Sequence, residues 1–415
     1  MQGEGLDIKQ YSLGSISRRT RGDKVIWAIV VLLTMVSLLA VYSSTGTLAY
    51  KLSKSIESYL FKQIMFIAVG VAIIYFAHLV NYTVYSRVAQ ILFIVSVPLL
   101  LYTLLFGTNL NDANRWIKLP IINLTFQTSD LAKLGLFMYL SRQLSKRQDK
   151  IKDFKTGFLP VILPVLLICA LIAPANLSTA LLTGATSLFL LFIGRASLKH
   201  IGLVILLAAI PVFMLIGFAK MYYNEETGKA DPMPASLTKG RVETWIKRVQ
   251  SFMYADKAEA SYQVQQAKIA IAKGSWMGLG PGNSEARNFL PHPYSDFIYA
   301  IIIEEYGLLG AAVMPLIYLL FLYRCIRIMR KCPYAFGAFL SLALGFTLVI
   351  QALANMAVNV NLFPVTGVTL PLVSMGGSSF LFTCLSIGII LSVARNVEIL
   401  EGKAAPQTQQ EGETK

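Results

Sequence analysis

Residues 278–310 read GLGPGNSEARNFLPHPYSDFIYAIIIEEYGLLG. The stretch opens as a glycine-rich loop, passes through Leu290-Pro291-His292-Pro293, and enters an apolar run at Phe297. That pattern predicts a helix entering a membrane from water. Asp296 stands at the border, with Ser295 before it as the expected helix N-cap. A carboxylate there is held by a rigid helix end, near the membrane surface and still reachable from water. The helix dipole favours its ionised form, which suits a general base. The competing reading is an aspartate that only helps to cap the helix. Glu304 and Glu305 fall two turns further in, about 12 Å deeper by helical rise. Intramembrane carboxylates need partners or a water-filled cavity, so both are expected in supporting roles.

The rest of the chain supports a membrane setting. Of 415 residues, 55% are hydrophobic and only 14% charged, and the mean hydropathy is +0.60. Apolar runs near membrane-spanning length recur throughout. The expected fold is therefore all-α, with ten transmembrane helices near 25–43, 58–80, 84–106, 128–142, 157–174, 178–194, 200–221, 296–322, 334–356 and 377–396. Basic residues cluster before the first span and in alternate loops, for example Arg142 to Lys155 and Arg324 to Lys331. By the positive-inside rule both termini are cytoplasmic. Residues 1–24 form a basic N-terminal segment, 25–396 the membrane domain, and 397–415 an unstructured cytoplasmic tail. The first apolar run is longer than a signal-peptide core and is read as a retained helix.

The net charge of +15 belongs to this membrane pattern. No basic stretch is interleaved with aromatics as a nucleic-acid-binding module would require. Cys169, Cys325, Cys332 and Cys384 suggest neither an extracytoplasmic disulfide nor a metal site. One long segment, 222–295, lies outside by parity although it is rich in Lys and Arg; long segments translocate largely regardless of charge. Arg241, Glu243, Trp245, Arg248 and Phe252 recur at helical spacing, which predicts an amphipathic helix lying on the bilayer. A cationic outer loop leading into a carboxylate suits an anionic lipid substrate.

Other motifs are read with less chemistry attached. Gly278, Gly280 and Gly282 follow no strand, so they do not form a dinucleotide loop; they permit close backbone approach to a headgroup or to the protein wall. Arg115 is a candidate phosphate ligand, and Trp116 a stacking platform or an interfacial anchor. Asp130 and Lys133 lie one turn apart at the opening of the fourth span, as a local ion pair or as part of a site. Asn355, Asn359, Pro364, Thr366, Gly367, Pro371, Gly376, Gly377, Ser378 and Ser379 make a polar, broken passage between apolar spans. Irregular backbone at that depth must lie beside protein or a water-filled cavity. It is expected either to line the same site or to be a plain re-entrant connector.

In order along the chain, NDANRWIKL, FQTSDLAKL, the 278–310 stretch and NVNLFPVTGVTLPLVSMGGSS resemble the signature blocks of the SEDS (shape, elongation, division and sporulation) family. The resemblance covers roughly 25–396. It implies a ten-helix peptidoglycan glycosyltransferase of the bacterial inner membrane that polymerises lipid II outside the cell with a class B penicillin-binding protein. By it, Asp296 takes the place of the essential extracytoplasmic carboxylate, and Arg115, Trp116 and Lys133 fall on positions implicated in activity. Asp130, Arg241, Arg248 and Ser378 join them as candidate substrate ligands, and Glu304, Glu305 and His292 as supporting groups. The usual His-Thr before the Asp is Tyr294-Ser295 here, and Pro174-Ala175-Asn176-Leu177-Ser178-Thr179 lacks the family's carboxylate. No protein metal site is expected; a Mg or Mn ion would be held through the substrate pyrophosphate. The basic N-terminal segment points to a division role among other division proteins. A flippase for lipid-linked precursors and a non-catalytic division scaffold are the competing functions.

Overall fold

The computed structural model describes residues 22–51, 56–110, 113–118, 125–224, 229–230, 234, 241–254, 262–290 and 293–412. Three long helices open the bundle: α1 Lys24–Lys51, α2 Ile56–Leu79 and α3 Tyr82–Phe106. Beyond a short sheet come α4 Thr128–Lys146, α5 Leu159–Ile172, α6 Leu177–Ile193 and α7 Leu198–Met221. Two helices lie in the long loop, α8 Val242–Met253 and α9 Tyr262–Gly274. The last three are α10 Ile298–Lys331, α11 Ala335–Asn359 and α12 Ser378–Gly412. Among the described residues, eight helices are long and apolar enough to cross a membrane. The two other expected spans are α6, which is shorter, and α4, which carries Asp130 and Lys133.

The centre of the bundle is α12, packed against α2 and α11, while α4 joins α3 to α11. At the other extreme only Ile201 and Ala219 of α7 are buried. Its exposed Leu206, Leu207, Phe213 and Met214 leave an apolar surface suited to lipid contact.

The chain departs from the sequence expectation in four places. First, residues between α3 and α4 form an antiparallel sheet, β1 Thr108–Leu110, β2 Ala113–Lys118 and β3 Thr125–Gln127, in spatial order 1-2-3. Trp116 pairs with Gln127 and Ile117 with Phe126, aromatic and β-branched residues that favour strands. Second, the loop 222–295 holds a two-stranded hairpin, β4 Tyr223–Asn224 and β5 Lys229–Ala230, beside α8 and α9. The amphipathic segment is α8, and it buries Ile246 and Gln250 on the protein rather than presenting that side to lipid; Gln250 Nε2 donates to the free carbonyls of Ala219 (3.1 Å) and Tyr222 (3.0 Å) at the end of α7. Third, α12 continues through Gly412 where a tail is expected from 397; its Ala and Gln are adequate helix formers.

The fourth departure is a break within the helix of the eighth span. At 34 residues α10 would be about 51 Å long, well over the hydrocarbon thickness of about 30 Å. Gly307, at φ 63° and ψ −158°, breaks it. The glycine-rich loop supplies the hydrogen bonds that the break removes: Leu279 N donates to Glu304 O at 2.9 Å, Gly280 N to Glu305 O at 3.0 Å, and Leu308 N to Ser275 O at 3.0 Å. A Cβ on Gly278 would lie 2.1 Å from Glu305 O and one on Gly307 2.4 Å from Trp276 O, so only glycine allows this approach. Helix Ile298–Lys331 as a whole is long and apolar enough to cross a membrane, and residues 308–331 beyond the break are about 36 Å long at helical rise. Glu304 and Glu305 lie before the break.

Candidate active site

A cleft of about 390 Å³ lies at the end of the bundle where α10 begins. Tyr59, Lys62 and Phe66 enter it from α2, one stripe at i, i+3 and i+7. Arg115 and Trp116 enter from β2, and Arg241 and Arg248 from the start and middle of α8. Tyr294, Ser295 and Asp296 come from the turn before α10, Gly367, Thr369 and Met375 from the passage before α12, and Ser379 from the first turn of α12. Among the described residues that border it Asp296 is the single carboxylate, with four cations: Lys62, Arg115, Arg241 and Arg248.

Each guanidinium is held by main chain. Arg115 Nε and Arg241 Nη1 both donate to Ala175 O at 2.7 Å, and Arg248 Nη1 to Val365 O at 3.2 Å. A neutral carbonyl orients these groups without cancelling their charge, at the place where the chain lacks an expected carboxylate. Next to it, Asn176 Oδ1 accepts Thr179 N at 3.3 Å and caps α6. Burial, then Arg241 and Arg248, pull Arg115 down to about 10, with Asp296 opposing. Burial also lowers Arg248, again against Asp296. An arginine at about 10 is still cationic at neutral pH, so the cleft keeps a positive field around one carboxylate.

The Asp296 carboxylate accepts Ser295 Oγ at 2.9 Å through Oδ1. Gly367, at φ +67°, lies over it: a Cβ there would stand 3.7 Å from Asp296 Oδ2 and 3.8 Å from Arg115 Nη1. Glycine leaves the space between this carboxylate and the guanidinium open. Burial, Tyr59 and Asp296 raise Tyr294 above its ordinary value, so its phenol stays protonated and can donate. Ser295 does not cap α10, whose N-cap is Phe297 without a side-chain bond. It orients the carboxylate instead.

Over residues 23–399 the sequence matches the FtsW/RodA/SpoVE family of cell cycle proteins. The chain belongs to that family. A protein of Geobacter sp. (strain M18) named "Probable peptidoglycan glycosyltransferase FtsW" is 32% identical over 91% of this chain and 98% of its own length. A chain from a solved peptidoglycan synthase complex superposes with a TM-score of 0.67 at 21% identity, over 91% of this chain and 98% of that one. The rod shape determining protein RodA of Thermus thermophilus does so with a TM-score of 0.63 at 21% identity, over 90% and 97%. These two structures share the fold.

In this FtsW/RodA/SpoVE-family chain the cleft gathers Asp296, Arg115, Trp116, Arg241 and Arg248 from three separate parts of the sequence. Other expected ligands lie elsewhere. Asp130 and Lys133 form a 2.8 Å ion pair below the cleft; Lys133 reaches Gln351 Oε1 at 3.4 Å, and Asp130 accepts the hydroxyl of Ser379. Neither borders the cleft, because α4 turns its polar first turn toward α11 and α12. Ser378 is buried and accepts Gln127 N at 3.1 Å; its neighbour Ser379 borders the cleft, since adjacent helical residues diverge by about 100°.

Glu304 and Glu305 also stand apart from Asp296. Glu304 accepts Glu285 N at 3.1 Å, Ala286 N at 3.2 Å and the Ser284 hydroxyl. Glu305 accepts the Ser43 hydroxyl from α1 and Ser284 N at 3.4 Å. They fasten the glycine-rich loop to α10 and α1. His292 lies outside the described residues, as do residues 1–21. Tyr59, Lys62 and Phe66 escaped the sequence reading; their periodic stripe at the end of an apolar span was the available signal.

Proposed function

We propose that the chain is a peptidoglycan glycosyltransferase that polymerises lipid II into β-1,4-linked strands, with Asp296 as general base. The observation that carries this reading is one carboxylate set among four cations in one cleft, counted over the described residues. The acceptor's GlcNAc 4-hydroxyl attacks the donor's MurNAc anomeric carbon, and Asp296 takes the hydroxyl proton. The bond to undecaprenyl pyrophosphate breaks, and one displacement turns an α-linked donor into a β-linked product. Arg115, Arg241, Arg248 and Lys62 neutralise the charge that develops on the departing pyrophosphate. Trp116 offers an apolar face to a sugar. A divalent ion arriving with the donor would be held through the pyrophosphate oxygens.

The protein works, in this reading, in the bacterial cytoplasmic membrane with the cleft on the outer face, in septal synthesis beside a class B penicillin-binding protein. Support comes from the alternation of basic loops and from the FtsW-named relatives. A cysteine replacing Glu285 should react with an impermeant maleimide in intact cells, and one replacing Lys150 only after permeabilisation. The reverse pattern would put the cleft on the wrong face. Activity is tested with purified protein, lipid II and the partner; glycan strands should form, and their absence under all partner conditions would overturn the assignment.

A further inference from the structure

Three consecutive main-chain carbonyls around Asp296 are each held from outside the turn. Tyr294 O accepts Met375 N at 3.0 Å. Ser295 O accepts Ser374 Oγ at 2.6 Å. Asp296 O accepts two amides from successive turns of α11, Asn355 Nδ2 at 2.9 Å and Asn359 Nδ2 at 3.0 Å. Asn355 and Asn359 are 1% exposed and Ser374 2%, and none of the three borders the cleft.

The same side chains tie the turn to its neighbours. The second amide hydrogen of Asn355 goes to Val368 O at 2.7 Å, and that of Asn359 to Asn355 O at 2.8 Å. Asn359 Oδ1 accepts Ala300 N at 3.0 Å, and Ser374 Oγ accepts Leu370 N at 2.9 Å. One turn earlier on α11, Gln351 Nε2 donates to Thr369 O at 3.1 Å. Residues 351, 355 and 359 thus form a polar stripe on an otherwise apolar helix, and it grips both strands of chain that meet over the cleft. Buried amides are costly unless fully bonded. Here the bonds converge on the backbone of one residue.

We propose that Asn355, Asn359 and Ser374 are positioning residues that fix the Asp296 backbone, and with it the direction of the carboxylate toward the acceptor hydroxyl. The proposal rests on the reading of Asp296 as general base. No side chain caps α10, so the turn has little rigidity of its own. A base displaced by about an ångström loses up to about 10²-fold in rate, while groups that bind the donor are unaffected.

The test uses full-length protein with its partner, in nanodiscs, and reads kcat and KM for lipid II per folded molecule. Asn359→Leu and Ser374→Ala should lower kcat about 10- to 100-fold with KM within about twofold of wild type. Ser374→Thr, which keeps the hydroxyl, should recover most of the loss; it and Ser374→Ala remain informative if Asn359→Leu does not fold. Unchanged kcat per folded molecule, or a loss carried by KM, would overturn the proposal. Asp296→Asn run in parallel separates the two claims. If it polymerises normally the base reading fails; if it is inactive while the Ser374 and Asn359 variants are fully active, only the positioning role fails.

Discussion

Asp296 and the pair Glu304–Glu305 lie within nine residues of one another, and the fold uses them in opposite ways. Asp296 is half-buried at an open cleft, its carboxylate accepting one hydroxyl and sharing the cleft with three arginines that donate to carbonyls. Glu304 is fully buried and Glu305 nearly so, their oxygens taken up by a loop and by α1. A carboxylate with its lone pairs engaged is a fastener. One with lone pairs left over and a path to water can accept a proton. Chemistry here follows unfilled bonding capacity, and residue type alone does not assign it.

That contrast can be broken by mutation. The largest effect is expected for Asp296→Asn, which keeps volume but cannot accept a proton. Polymerisation of lipid II should fall about 10²- to 10⁴-fold, with thermal stability in detergent unchanged. Conversion within a few-fold of wild type would remove the base, as a flippase or scaffold requires. Glu304→Ala should do the reverse. It strands the Ser284 hydroxyl and two backbone N–H groups, each at about 1–3 kcal/mol, so the yield and melting temperature should fall. Turnover per folded molecule should stay within about threefold, and a specific loss of turnover would place Glu304 in the chemistry.

Smaller effects refine the charge side of the comparison. Arg248→Ala removes a cation from the cleft without touching the fastened carboxylates. A lost charge-assisted contact of about 1.4 kcal/mol corresponds to a tenfold rise in lipid II KM, measurable in steady-state assays. The Lys273–Glu285 pair is exposed and joins α9 to the fastened loop. Its hydrogen bond to Glu285 raises Lys273 above the ordinary lysine value. The stability it adds is therefore present below that ordinary value and lost as pH rises through the folded one. Lys273→Met should leave the melting temperature at pH 7 nearly unchanged and flatten only its alkaline decline. A large shift at pH 7 would show that the loop depends on surface charge more than on the two buried glutamates.

Much of this was legible in the chain. Long apolar runs expose the spans because lipid cannot satisfy backbone polar groups, so helices must. Asp296 shows because a carboxylate at the mouth of such a run is conspicuous, and Arg241 and Arg248 because their helical spacing survives in the sequence. The break inside the eighth span does not show because Gly307 sits in an unbroken helical pattern; its left-handed backbone is affordable only with the 275–280 loop against it. Lys133 and Ser378 do not border the cleft, and spacing could not show this, because it gives a helix face but not its rotation about the bundle axis.

The helices, the border carboxylate and the excess of cations are consequences of local hydropathy and charge, and can be read from the chain alone. Which groups meet depends on how the bundle packs. That packing brings α2, β2, α8 and the passage before α12 around Asp296, closes Asn355 and Asn359 on its carbonyl, and takes Glu304 and Glu305 out of reach. These are contacts between residues up to hundreds of positions apart. Their bonding capacity is filled by partners that no local pattern names.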